Sequence, residues 1–114
     1  MRIVKKPWGH EEIWAETDNY VGKILYIKAG HRLSLQYHEK KTETIRVMQG
    51  SLALTLGNPD GTYFERKLDA GNSYHVSPGT VHRFGATDHD VILTEVSTPE
   101  LDDVVRIEDD WSRA

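Results

Sequence analysis

Apolar residues recur at every second position along most of this chain, in short runs broken by glycine and proline. Residues 21–29 form a β-rich run that ends at Gly30, and residues 33–38 alternate between apolar and polar. Two further runs, 44–48 and 52–56, flank the turn-like pair Gly50-Ser51. Asn58-Pro59-Asp60-Gly61 is a strong turn signal, because each of these residues favours a tight reversal for its own steric or hydrogen-bonding reason. Runs at 62–68, 73–76, 81–84 and 91–98 follow, separated by Gly71-Asn72 and by Ser77-Pro78-Gly79-Thr80. Helical periodicity is nearly absent. Many short strands with no crossover helices predict an all-β, antiparallel sandwich or small barrel. The end of the chain, 100–111, predicts either a short helix or an irregular edge strand.

The length of 114 residues suits one domain and leaves no room for a nucleotide-binding domain beside a substrate domain. Apolar residues make up 38%, enough for one modest core. The net charge of −4 gives no long-range attraction for nucleic acid or anionic lipid, so neither is an expected partner. That charge is uneven: residues 88–114 hold nine acidic and two basic side chains. The plain expectation is a solvated acidic tail over about 99–114. There is no cysteine, which removes disulfides, zinc-thiolate sites and thiol nucleophiles together. Residues 1–6 carry charge with no apolar segment behind them, and no apolar run approaches the ~18 residues of a membrane span. The expected location is cytoplasmic.

Chemistry concentrates in the histidines, at positions 10, 31, 38, 75, 82 and 89. Gln36 and His38 are two apart on a predicted strand, so their side chains leave the same face. Glu43 follows a short polar turn and can return beside His38, while His82 opens another strand just after Pro78-Gly79. A barrel mouth can gather Gln36, His38, Glu43 and His82 round one point. Two imidazoles, a carboxylate and an amide oxygen suit a first-row divalent ion, here Zn, Mn, Fe, Co or Ni. The competing reading is ordinary polar residues on strands.

These residues also carry a resemblance. Gly30, five residues, Gln36-Tyr37-His38, four residues, Glu43, six residues and Gly50 resembles the first cupin motif, with Gln36 in place of its first histidine. Gly71, five residues, Ser77-Pro78-Gly79, two residues and His82 resembles the second, with Ala86 where asparagine is usual. Within the cupins the chain is most similar to the C-terminal domain of type II mannose-6-phosphate isomerases. The shared features are Ser34-Leu35-Gln36-Tyr37-His38, Pro7-Trp8-Gly9, Gly79-Thr80-Val81-His82-Arg83 and the tail Asp103-Val104-Val105-Arg106-Ile107-Glu108-Asp109-Asp110. The resemblance implies a cupin-type double-stranded β-helix (a jelly-roll barrel) as a single domain over 1–114, and a divalent metal on Gln36, His38, Glu43 and His82. Two positions depart from the pattern: Lys41 stands where arginine is usual, and Ile45 where tryptophan is usual. The larger isomerases carry a nucleotidyltransferase domain absent from these residues, so activation of sugars with a nucleoside triphosphate is not expected of them.

The activity implied first is aldose–ketose isomerisation of a sugar or phosphosugar. A non-catalytic sugar-binding module and a metal-dependent oxygenase or lyase of small organic substrates are the alternatives. Isomerisation needs a base within reach of the transferred proton, for which His31, His75 and Glu95 are candidates. A substrate phosphate needs cations, for which Lys23, Arg32, Arg46 and Arg83 are candidates. Trp8, Trp14, Tyr26, Tyr37 and Tyr74 can line a sugar pocket or pack in the core. A small barrel exposes sheet edges, so a homodimer is expected, with the first 14 residues as an arm or edge strand against the body or a twofold partner.

Overall fold

A computed structural model describes residues 1–111. These form the strands β1 (Arg2–Lys6), β2 (Gly9–Glu16), β3 (Val21–Ile27), β4 (Leu35–Tyr37), β5 (Glu43–Gln49), β6 (Ser51–Gly57), β7 (Tyr63–Asp69), β8 (Ser73–Val76), β9 (His82–Gly85), β10 (Val91–Ser97) and β11 (Val105–Glu108). No helix occurs among the described residues. One sheet has the order β1-β2-β3-β10-β5-β8 and the other β11-β4-β9-β6-β7. Every pairing within them is antiparallel. Residues 2–16, ahead of the first strong run, form two strands that widen the first sheet. The end of the chain takes the edge-strand form: β11 pairs with β4.

The two sheets face each other across a core built by alternation. In β6 the buried residues are Leu52, Leu54 and Leu56, and in β5 they are Ile45 and Val47. Phe84, Leu25, Ile27, Val91 and Leu93 join them in one cluster. Each side chain buried at this scale stabilises the fold by roughly 1.5–3 kcal/mol. The inward face changes character along the strands. In β10, Val91 and Leu93 are succeeded on the same face by Glu95 and Ser97, all buried. In β3, Ile27 and Leu25 give way to Lys23, and in β5, Val47 and Ile45 give way to Glu43. Lys23 is the registered partner of Glu95, and Glu43 that of Ser97. One end of the barrel is therefore closed by hydrocarbon and the other is lined with charge.

Gly9 fixes how β2 enters the sheet. Its φ of +152° lies where residues with a side chain are rare, and a Cβ there would stand 1.8 Å from the Tyr26 carbonyl oxygen. Just before it, Trp8 is buried, and its carbonyl accepts the Lys28 N–H at 2.9 Å.

Candidate metal centre

The charged end of the barrel gathers His38, just after β4, with Glu43 at the start of β5 and His82 at the start of β9. Their ligand atoms lie within 4.8 Å of one another. His38 Nε2 is 3.7 Å from Glu43 Oε2, and His82 Nε2 is 3.5 Å from Glu43 Oε1. All three residues are at most 3% exposed. Each imidazole is anchored by its other nitrogen: His38 Nδ1 is 2.5 Å from the Asp103 carbonyl oxygen, and His82 Nδ1 is 2.8 Å from that of Thr80. A carbonyl only accepts, so Nδ1 carries the hydrogen in both rings and the Nε2 lone pair points inward. His38 Nε2, His82 Nε2 and Glu43 Oε1 have no hydrogen-bond partner among the described residues. Buried polar atoms are ordinarily paired, because burying one without a partner costs about 1–3 kcal/mol. Three such atoms converging, two nitrogen and one carboxylate oxygen, have the donor chemistry of a divalent metal site. Ligands held about 2.1 Å from one ion stand roughly 3.0–3.4 Å apart, close to the separations found here.

The electrostatics agree. Burial opposes ionisation of Glu43, but the His82 ring when protonated, the Lys41 ammonium and the protonated His38 ring outweigh it and hold the carboxyl at about 2. Burial pushes the His38 imidazole below its ordinary value, against the Asp103 carbonyl and Glu43, which favours the neutral ring. Gln36 is the registered partner of His82 and lines the same cavity as His38. Its Oε1 accepts the Ser34 hydroxyl at 2.8 Å and keeps a second lone pair.

This cavity has a volume of about 280 Å³. Beside Gln36 and His38 its wall includes Trp8, Leu33, Glu11, Lys23 and Lys41, with Arg2, Lys6, Arg106 and Asp102 as further charged lining. Glu11 is a residue that the sequence motifs did not single out, and Lys41 stood out there only as a departure where arginine is usual. Lys41 Nζ is 3.0 Å from Glu43 Oε2 and 3.3 Å from Glu95 Oε2. Lys23 Nζ is 3.4 Å from Glu11 and 3.9 Å from Glu95. Burial pushes the Glu95 carboxyl up, with Glu43 adding to it, against the pull of Lys41 and Lys23.

Of the other residues picked from the sequence, Lys23 and Glu95 join this cluster and the rest do not. His75 lies on the other face of β8, 3.1 Å from the Thr44 hydroxyl, because Thr44 and Glu43 alternate to opposite sides of β5. Arg46 is exposed on that same outer side. His31 bonds the Ala29 carbonyl and stacks on Trp111, in a different depression from His38. Arg32 pairs with Asp110 at 2.6 Å. Arg83 is buried and donates to the Leu33 and Glu108 carbonyls, which staples β11 in place. Trp8 reaches the cavity. Trp14 is 53% exposed and lies over Gly22, Tyr26 stacks on His10, Tyr37 is half-buried in β4 and Tyr74 packs against the core.

The acidic segment does more than face solvent. Glu108 and Asp110 pair with Arg83 and Arg32, and Asp103 serves the metal centre twice. Besides its carbonyl on His38, its carboxylate accepts the backbone N–H groups of Glu39, Lys40 and Lys41 at 3.1, 2.7 and 2.8 Å. Those N–H groups, Lys40 first, hold the Asp103 carboxyl at about 2. Asp103→Ala frees the loop that carries Lys41 and Glu43, and the expected result is a loss of metal affinity of about 10–100-fold. Chelator competition measures it; an unchanged affinity rejects the role. Residues 112–114 of the expected tail lie outside the described residues.

The barrel and its inward His–Glu–His group define a cupin. Residues 1–109 match the family described as "Mannose-6-phosphate isomerase C-terminal", and the chain belongs to that family. Among curated proteins it is 31% identical to mannose-1-phosphate guanylyltransferase of Escherichia coli (strain K12), over 98% of this chain and 23% of that protein. It is 29% identical to the enzyme ManC of the same name from Salmonella typhimurium, with the same coverage. The chain thus spans about a quarter of the length of these relatives. Among solved structures, KdgF from Halomonas sp. superposes with a TM-score of 0.76 at 19% identity, covering 90% of this chain and 91% of that one. The capsular polysaccharide assembling protein CapF from Staphylococcus aureus gives 0.81 at 15% identity, covering 94% of this chain and 34% of that one. At these identities the two structures attest the fold.

Proposed function

We propose that the cavity binds an anionic sugar, a sugar phosphate first of all, at a divalent ion held by His38, Glu43, His82 and Gln36, and interconverts its aldose and ketose forms. The observation that carries this reading is the trio of unpartnered ligand atoms beside a cavity rich in cations. Within that lining Lys23 is matched by Glu11, and Lys41 by Glu43 and Glu95. Arg2, which pairs with Glu16 at 3.1 Å, Lys6 and Arg106 add to that lining beside Asp102, so cations outnumber carboxylates on the wall, which favours an anionic group. The family description and the names of the relatives point to phosphosugars as well.

A bound divalent ion supplies Lewis-acid polarisation of a substrate carbonyl. The chain's own residues do the rest. Arg2, Lys6 and Arg106 take the phosphate, and Trp8 and Leu33 keep the reacting carbons out of bulk water. The Lys41 ammonium offers a proton donor on the wall beside His38. Glu11 is the carboxylate among the inner lining, and it takes the proton from one carbon and returns it to the next. Glu95 sits behind the two lysines and holds them in place.

The test is the metal-loaded protein with a panel of aldose and ketose phosphates in D2O, followed by NMR. Interconversion with solvent deuterium entering C1 or C2 is expected, as is loss of this exchange in Glu11→Gln with metal content retained. Ligand shifts without exchange would make the chain a binding module. Neither shifts nor exchange would reject phosphosugars altogether.

A further inference from the structure

Five buried ionisable groups alternate in sign along and behind the cavity wall: Glu11, Lys23, Glu95, Lys41 and Glu43, each no more than 9% exposed. Four of them come from neighbouring strands, which is why they align, and Lys41 comes from the loop just before β5: Lys23 on β3 is registered with Glu95 on β10, beside β5 and Glu43. The series ends on the two oxygens of Glu43, which have different surroundings. Oε2 faces the Lys41 ammonium at 3.0 Å, with His38 Nε2 farther off at 3.7 Å. Oε1 has no hydrogen-bond partner among the described residues and faces His82 Nε2. An ion that took both oxygens would have to share Oε2 with a buried ammonium at its side. A positive charge resting on a metal-binding carboxylate also opposes the cation that carboxylate binds.

We infer that Lys41 is a positioning residue that limits Glu43 to one metal-binding oxygen and holds down the affinity of the centre for its cation. Glu95 acts in the opposite sense. It lies 3.3 Å from Lys41 and draws part of that charge away from Glu43. Glu95 is itself shared with Lys23, at 3.9 Å, so its pull on Lys41 is partial. The site keeps a cation beside the metal-binding carboxylate on the cavity wall, where an oxyanion of the substrate would meet it. Loose cation binding and strong anion binding are thereby set by one side chain.

This inference rests on the metal-centre reading, and the experiment separates the two. Affinities for Co(II) and Zn(II) are measured by chelator competition on the full chain, with the visible spectrum of bound Co(II) as a second readout. Lys41→Met is expected to tighten binding by at least about tenfold. Its Co(II) bands should weaken as Glu43 adds its second oxygen and the coordination number rises. Glu95→Gln is expected to weaken binding by about tenfold, because Lys41 then bears on Glu43 alone. Lys41→Arg keeps the charge and should stay within about threefold of the parent protein. A brace with no electrostatic role would lose affinity in both neutralising variants, so the opposite signs are decisive. Weaker binding in folded Lys41→Met, or unchanged or tighter binding in Glu95→Gln, overturns the inference. Should Lys41→Met fail to fold, the double variant of Lys41→Met with Glu95→Gln removes a charge pair together. It must then bind more tightly than Glu95→Gln alone, and equal or weaker binding overturns the inference too. A parent protein that takes up neither ion overturns the metal centre itself.

Discussion

His38→Ala is expected to abolish stoichiometric metal binding. The parent site offers two inward imidazole nitrogens and one carboxylate oxygen, all three buried and otherwise unpartnered. The variant leaves one imidazole and the carboxylate, with Gln36 as a neutral amide oxygen already engaged by Ser34. Losing a supporting residue around a metal typically costs about 10–100-fold, and losing a ligand should exceed that range. The effect should also appear as stability. Metal present at about a hundred times its dissociation constant stabilises the folded state by roughly 2.7 kcal/mol. In His38→Ala that increment should vanish, so melting temperatures with metal and with chelator should coincide. Gln36→Ala should show the smallest loss of the four ligand variants. Elemental analysis of purified His38→Ala with one equivalent of metal still bound would rule out the assignment of this ligand.

The strands and the clustering of the candidate ligands were legible for one physical reason: a period of two ties sequence position to side-chain direction. Gln36 and His38 share a face because they are two apart, and the runs 52–56 and 91–98 bury Leu52, Leu54, Leu56, Val91 and Leu93 as alternation requires. The same rule could have discounted His75. Its hydroxyl partner Thr44 directly follows Glu43, so the two leave β5 on opposite sides. Lys41 was within reach of this logic, being two residues before Glu43, although it precedes the strand. Glu11 and Asp103 were not. Glu11 stands next to Glu12 in a strand whose facing depends on pairing with β3, and a Glu-Glu pair does not say which member looks inward. Asp103 acts across 65 residues of sequence through its own carbonyl, a contact that any residue type makes and that no pattern of side chains announces. The acidic tail read as solvated because charge alone carries no address. Arg32 and Arg83, which receive Asp110 and Glu108, lie 78 and 25 residues away from those partners.

Lowering the pH should release the metal through the imidazoles before the carboxylate. Glu43 is held at about 2, so it stays ionised through the whole mildly acidic range. Lys41 is shifted upward, Glu95 and Glu43 outweighing the effect of its burial, and stays charged there as well. That leaves the His38 ring, and Glu95, whose carboxyl burial pushes up, as groups that change. A proton and a metal ion compete for the same Nε2 lone pair, so affinity must fall as the rings protonate. For the metal-free protein one contribution is that of His38, whose value burial lowers relative to the unfolded chain. At this group the unfolded state then binds more protons, so its contribution rises with pH across the interval between the two values, while Glu95, whose carboxyl burial raises, contributes in the opposite sense. The contribution of His38 is complete above the unfolded value of about 6.5 and is lost as the pH falls through the lower folded one. Glu43 follows the same rule further down: its contribution is present above about 4.3 and is lost only towards about 2. The metal-loaded protein should therefore melt well above the chelated protein at a pH of about 7.5, with the gap shrinking as the pH falls below about 6.5. Scanning calorimetry with and without metal across that range measures the gap directly. A gap that stays undiminished until the fold itself is lost to acid would mean that the histidines are not the ligands.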